Sequence, residues 1–339
     1  MAIGGEETWL REVLRYWDLG RIVRVERMGR GTNQRVWRVE AEQNWVLRRV
    51  EDDDGEAKLR REGVLLAALW GVGLPFRLPI LVPTVDGEMM LRWKEEGTDN
   101  VFFCVQPMLP GGYRRRLGIG ALEAAGQALG MLDQGLKVIE GIWAVQDDDV
   151  CYADLERIHR LVPDVWELET IYWADEEGRA LLELLERVMD ERKMLKGLPE
   201  QVIHGDYTRG NVLFDWRGKV SGVLDFELAG RDQRIFDFGI GLYHFVLVRP
   251  VERDVLARRI GAFAQGYSEW ITLSSKEFAG LSLALRVRLM ASVIHRYGCY
   301  RAGRGDLRGV RERIRAMMRC DRWLAEWGEW LVEVVRRRG

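Results

Sequence analysis

Apolar positions along the chain change their period near residue 110. Before it, short runs at 22–27, 36–39, 45–50, 89–92 and 101–107 alternate or cluster as in half-buried strands. Two helical stretches interrupt them. Residues 7–17 place Leu10, Val13, Leu14 and Trp17 on one face, and residues 56–70 do the same with Leu65, Leu66 and Leu69. Beyond residue 110 the spacing is that of helices, at 119–138 with Leu122, Ala125, Leu129 and Leu132 on one side, then at 178–194, 252–270, 275–297 and 307–335. Ser274 followed by Glu277, just ahead of Phe278, is a helix-start signal for the second last of these. One stretch departs from the helical half. The apolar runs 212–214 and 220–224 flank Asp215-Trp216-Arg217-Gly218, which predicts a short β-hairpin.

A hairpin returns the chain to where it began. Asn211, just before its first strand, and Asp225, just after its second, are therefore expected at one open end, with Asp206 in the loop leading in. Carboxylate and amide oxygens without His or Cys partners suit a hard cation such as Mg2+, which keeps several waters and takes few protein oxygens beside substrate phosphates. A carboxylate left off the metal can orient a hydroxyl and accept its proton. That division of labour is the one protein kinases use.

The pattern His204-Gly205-Asp206, Asn211 and Asp225, the last within Asp225-Phe226-Glu227, resembles the aminoglycoside phosphotransferase and choline kinase group of small-molecule kinases, which includes type II homoserine kinases. The resemblance implies an α+β, two-lobed protein-kinase-like fold. A small β-sheet lobe with a helix, residues 1–109, would bind nucleotide, and a larger, mainly helical lobe, residues 110–339, would carry the catalytic loop and the substrate. It also implies ATP and Mg2+ as cofactors, and transfer of the γ-phosphate to a hydroxyl of a small molecule such as an aminoglycoside, homoserine or choline. By the group's roles Asp206 is the catalytic base, and Asn211 and Asp225 are metal ligands.

Further roles follow from the same resemblance. Gly29 and Gly31, in the turn between the first two strands, would cover the phosphates with bare backbone. Arg48 stands where the group often has Lys; it would hold phosphates and pair with Glu62 on the following helix. The Gln106 carbonyl and the Met108 N–H would contact adenine, because Pro107 between them has no N–H. His204 is expected to brace the loop by hydrogen bonding. Asp237-Phe238-Gly239 spells the protein-kinase metal motif but lies beyond the hairpin, so Asp237 is read as a structural cap of the next helix. The rival reading is a catalytically silent kinase-like structural or regulatory protein; the intact Asp206, Asn211 and Asp225 favour catalysis.

Composition narrows this little. A formal net charge of −2 gives no reason to expect a nucleic-acid partner. The longest apolar run, about 236–248, contains Asp237 and His244 and is too short to span a bilayer, and the N-terminal residues lack the features of a signal peptide, so no membrane and a cytoplasmic location are expected. Cys104, Cys151, Cys299 and Cys320 fall into no metal-ligand spacing and read as buried free thiols. Residues 141–177 mix acids with Trp and Tyr. Such a mixture fits a solvated face over a buried one better than a receptor for a cationic substrate.

Overall fold

The computed structural model describes residues 3–29, 35–51, 54–95, 98–141, 151–171, 176–248 and 251–338. The chain divides into two units, Met1–Pro110 with Gly222–Glu227, and Gly111–Ser221 with Leu228–Gly339. The first is a small mixed unit built on a sheet and the second is mainly helical, so the α+β class holds.

In the first unit, strands β1 (Arg24–Arg27), β2 (Arg35–Glu40), β3 (Asn44–Val50), β4 (Leu91–Glu95) and β5 (Thr98–Pro107) form one antiparallel sheet in the order β1-β2-β3-β5-β4. The two faces of β5 are both buried. Val101, Phe103 and Val105 point to one side and pack with Trp37, Val39 and Leu47 against Leu10, Val13 and Leu14 of helix α1 (Ile3–Leu14) and Trp17 beyond it. Phe102 and Cys104 point to the other and pack with Val50 and with Leu59 of helix α2 (Gly55–Val72). This alternation decides where Arg48 goes. It sits opposite Cys104 in the strand register, so its side chain leaves the sheet on the α2 side.

The second unit is organised by α3 (Ile119–Ile139), α4 (Glu176–Glu191), α5 (Ile235–Leu242) continued by a π-helical turn (Tyr243–Leu247), α6 (Arg253–Ser268), α7 (Ser275–Arg301) and α8 (Leu307–Arg336). The backbones of α3 and α6 run unusually close. A Cβ on Gly126 would overlap the Phe263 carbonyl, and one on Gly266 would overlap the Glu123 carbonyl. Ser274 starts α7 with a capping box: its hydroxyl accepts from the Glu277 N–H at 3.3 Å while the Glu277 carboxylate accepts from the Ser274 N–H at 2.7 Å. By length and composition α7 meets the criterion for a membrane span, yet 67% of its apolar window is buried inside the protein, as in a core helix.

The hairpin forms as expected from β7 (Val212–Phe214) and β8 (Val220–Val223), with the Asp215 N–H on the Lys219 carbonyl at 2.9 Å. Outside it lies a second pair that the sequence pattern did not announce. Strand β6 (Glu200–Ile203) runs antiparallel to β9 (Gly230–Gln233), with Ile203 opposite Gly230. All four cysteines are free; Cys104, Cys299 and Cys320 are buried, whereas Cys151 is only half-buried.

Candidate active site

The loop after β6 is held almost wholly by its own backbone and two helices. His204 is fully buried, and its Nδ1 accepts from the Asp206 N–H at 3.1 Å, the bracing role expected of it. Gly205 follows with φ +79°, and a Cβ there would overlap the Leu228 carbonyl, so both conformation and space require glycine. The Gly205 carbonyl takes the Nε and NH2 of Arg288 at 3.2 and 2.7 Å and the Tyr152 hydroxyl at 2.9 Å. Arg288 comes from α7 and is buried; its guanidinium also lies over the Tyr152 ring, 4.3 Å from the centroid.

Asp206 is the focus of these contacts. Its Oδ1 accepts from Arg288 NH2 at 3.1 Å and its Oδ2 from Asn211 Nδ2 at 2.8 Å, while the same Nδ2 reaches the Asp206 carbonyl at 2.9 Å. Each carboxylate oxygen is thus steered by one donor. The side chain still keeps 30% of its surface exposed, enough for a hydroxyl to approach. Asn211 spends its amide N–H groups on Asp206, which leaves its Oδ1 without a hydrogen-bond partner among the described residues. A free amide oxygen beside a carboxylate is the donor chemistry a hard cation accepts.

Asp237 corrects one expectation. It does not cap a helix; α5 begins two residues earlier, after Arg234, and Asp237 lies in its first turn. Fully buried, it turns its carboxylate to the loop and accepts the His204 N–H at 2.6 Å on Oδ2 and the Gly205 N–H at 2.8 Å on Oδ1. A second buried acid stands near it. Burial, with the charge of Asp237 added, pushes the Asp133 carboxyl well up from its ordinary range, and Tyr267 donates to its Oδ2 at 2.7 Å. Burial pushes the Asp237 carboxyl up as well, held back by His204, by the His204 and Gly205 N–H groups and by Arg288.

In the first unit the sheet face under α2 brings together Arg48, Glu62 and Gln106. Arg48 NH1 reaches Glu62 Oε1 at 2.7 Å and Gln106 Oε1 at 3.4 Å, with Arg48 6% and Glu62 3% exposed. Burial works against the Arg48 charge, but Glu62, Cys104 and Glu227 together hold it above its ordinary value. Burial also pushes the Cys104 thiol up to about 12. Asp225 belongs to this unit and has φ +66°, the one non-glycine residue with positive φ among those described. Such backbone strain, of order 1–3 kcal/mol, persists where surrounding structure enforces it and gathers at functional sites.

The nucleotide contacts expected of the sheet fare unevenly. The Met108 N–H is already engaged, donating to the Asn44 carbonyl at 2.9 Å. The Gln106 side chain faces Arg48. Gly29 is exposed, with no atom of the described residues near its missing side chain, and Gly31 lies outside the described residues. Of the acid-and-aromatic segment, residues 142–150 and 172–175 also lie outside them. Within it, Glu167 pairs with Arg301, Glu177 with Arg315 at 3.2 Å, and Tyr152 is buried against the loop. Glu167 and Glu177 thus stand in surface ion pairs.

The contacts of Arg288 and Tyr152 with this loop, and the effect of Glu227 on Arg48, are not legible in the sequence pattern. An Arg within a long helix looks like any solvated position, and only the burial of its neighbours on α7, from Val287 to Met290, hints otherwise.

Residues 24–273 match the profile of a family described as the phosphotransferase enzyme family. The homoserine kinase of Methylobacillus flagellatus is 34% identical over 119 residues, 34% of this chain and 35% of that one. The homoserine kinase of Phenylobacterium zucineum is 36% identical over 86 residues, 25% and 26% of the two chains. The chain thus matches about a third or less of the length of these curated relatives. Among solved structures, a microcompartment-associated aminopropanol kinase superposes with TM-score 0.73 at 16% identity, covering 96% of this chain and 98% of that one. Amicoumacin kinase hAmiN, in complex with AMP-PNP, Ca2+ and Ami, follows with TM-score 0.68, 16% identity and 93% of each chain. Identity at this level speaks for a shared fold.

Proposed function

The chain belongs to the phosphotransferase enzyme family, and from that premise we propose that it moves the γ-phosphate of ATP to a hydroxyl of a small molecule. The observation that carries the reading is the Asp206 carboxylate, fixed on one oxygen by Arg288 and on the other by Asn211, yet open to an approaching group. A carboxylate so placed orients a hydroxyl and takes its proton. The acceptor oxygen then bonds to the γ-phosphorus as the bond to the β,γ-bridging oxygen breaks. ADP leaves with that electron pair, and the proton rests on Asp206.

Arg48, aligned by Glu62, is assigned to the nucleotide phosphates, with Gly29 and Gly31 covering them. Mg2+, when bound, neutralises charge on the transferring phosphoryl oxygens; Asn211 Oδ1 and the Asp225 carboxylate are the protein oxygens assigned to hold it. The AMP-PNP complex of a structural neighbour supports ATP as donor. The committed Met108 N–H argues that adenine is held by other groups of the sheet edge, the Gln106 carbonyl first. The names of relatives and neighbours support an amine-bearing alcohol as acceptor, from homoserine and aminopropanol to aminoglycosides.

The test is Asp206→Ala, assayed for ATP-dependent phosphorylation across a panel of amino alcohols, sugars and aminoglycosides. Turnover falls by about 100-fold or more, the scale of a lost general base, while Mg·ATP binding measured by calorimetry survives. A variant that keeps its rate would sink the assignment.

A further inference from the structure

Between Glu62 and Asp86 the chain carries a single charged side chain, Arg77, in a protein of which 31% of the residues are charged. The stretch runs from the second half of α2, through Gly73 with the left-handed φ of 73° that ends the helix, into the segment leading to β4. Where α2 and that segment meet they leave an open groove of about 400 Å3, the size of a small-ligand pocket. Leu69, Phe76 and Leu78 line it at 5% exposure or less, and Leu74 is half-buried. Trp70 and Arg77 line it too, and both are exposed.

The groove has a fixed wall. The Arg77 carbonyl accepts from the Val223 N–H at 3.1 Å, and Arg77 pairs with Gly222 as a parallel bridge, so this segment is fastened to the end of β8 inside the first unit. Its two exposed members are left uncommitted. Trp70 keeps 58% of its surface exposed, an unusual place for so large an apolar side chain. The Arg77 side chain makes no hydrogen bond or ion pair among the described residues. A lone guanidinium beside an apolar hollow suits a ligand with an apolar body and one negative end.

We propose that this groove binds a small aromatic acid, its ring against the Trp70 indole and its acid group on Arg77. An indole and a planar ring gain from offset or edge-to-face contact beyond the area they bury. The guanidinium fork grips a carboxylate or sulfonate through paired N–H groups. A polyphosphate is disfavoured, because one cation faces an otherwise apolar lining. None of Arg48, Glu62 and Gln106 lines the groove, so the site is independent of the phosphotransfer reading.

Fluorescence titration of the full chain tests it with two probes: 8-anilinonaphthalene-1-sulfonate, an aromatic anion, and N-phenyl-1-naphthylamine, the same rings without the sulfonate. The wild-type protein takes up one equivalent of the sulfonate, about tenfold more tightly than the neutral probe, the scale of one charge-assisted contact. Arg77→Gln brings the two affinities together, with Arg77→Lys intermediate. Trp70→Ala weakens both probes, whereas Trp70→Phe keeps most of the binding; thermal melts confirm that each variant is folded. Saturating Mg·ATP leaves the sulfonate in place. Displacement by Mg·ATP, uptake of neither probe, equal affinity for the two, or affinities untouched by every variant overturns the site. Binding that weakens as protein concentration rises, with dimers seen in sedimentation, gives the groove to a second copy of the chain and overturns it as well.

Discussion

Arg288 on α7 donates to Oδ1 of Asp206 at 3.1 Å from 82 residues away in the chain. The same guanidinium fixes the Gly205 carbonyl at 2.7 Å, so one buried side chain sets both the backbone before the proposed base and the orientation of the base itself. Asn211 completes the arrangement on Oδ2.

Arg288 is accordingly a positioning residue. Arg288→Met is expected to lower kcat by about 100-fold, the scale of an ångström's misplacement, while the KM for ATP changes little. Arg288→Lys, which keeps the charge but not the fork, should recover part of the rate. Steady-state kinetics on both variants check this. An equal loss in kcat and in the KM for ATP would point to general disruption of the fold.

The Arg48–Glu62 pair separates stability from function. Glu62→Gln removes the charge that Arg48 meets at 2.7 Å in a buried setting, which costs about 3–5 kcal/mol in chemical denaturation. Replacing both partners with apolar residues, as in Arg48→Met with Glu62→Leu, removes the uncompensated charge and should restore much of the stability. That double variant stays unable to bind ATP tightly. Recovery of stability together with nucleotide affinity would show that Arg48 is purely structural.

His295 makes stability depend on pH. Burial, with His159, Arg288 and Arg304 as further causes, holds its imidazole down to about 4 from an ordinary 6.5, against the pull of Asp206. The unfolded chain binds a proton there below pH 6.5 and the folded chain does not until about pH 4. Proton uptake in that window favours unfolding, so the contribution of this group is complete above 6.5 and is lost as pH falls toward 4. His244 is held down to about 4 as well and acts in the same sense. Denaturant titrations across the window should show the decline, and His244→Gln combined with His295→Gln should flatten it. An unchanged slope in the double variant would assign it to other groups.

The features that could be read from the chain are those carried by local periodicity. Alternation along 101–107 placed β5 in the sheet, and the apolar runs about Asp215–Gly218 gave the hairpin. The resemblance to kinases pairs Arg48 with Glu62, and the register of β3 against β5 turns Arg48 to the α2 side where the two meet. What escaped depends on contacts distant in sequence. Strand β9 reads Gly-Arg-Asp-Gln, without an apolar alternation, and exists because β6 lies opposite. Asp237 has the residue type of a cap, but the loop N–H groups above it draw its carboxylate away from the helix end. Arg288 is a charge inside a helix, and its residue type does not mark it as buried.

Gly205 is tethered from two directions: its amide is claimed by α5 through Asp237, and its carbonyl by α7 through Arg288 and by Tyr152. A residue whose two flanking peptide groups are both fastened has no slack. Changes of acceptor during divergence must then be accommodated in the walls around the carboxylate, because relocating Gly205 would unseat two helices at once.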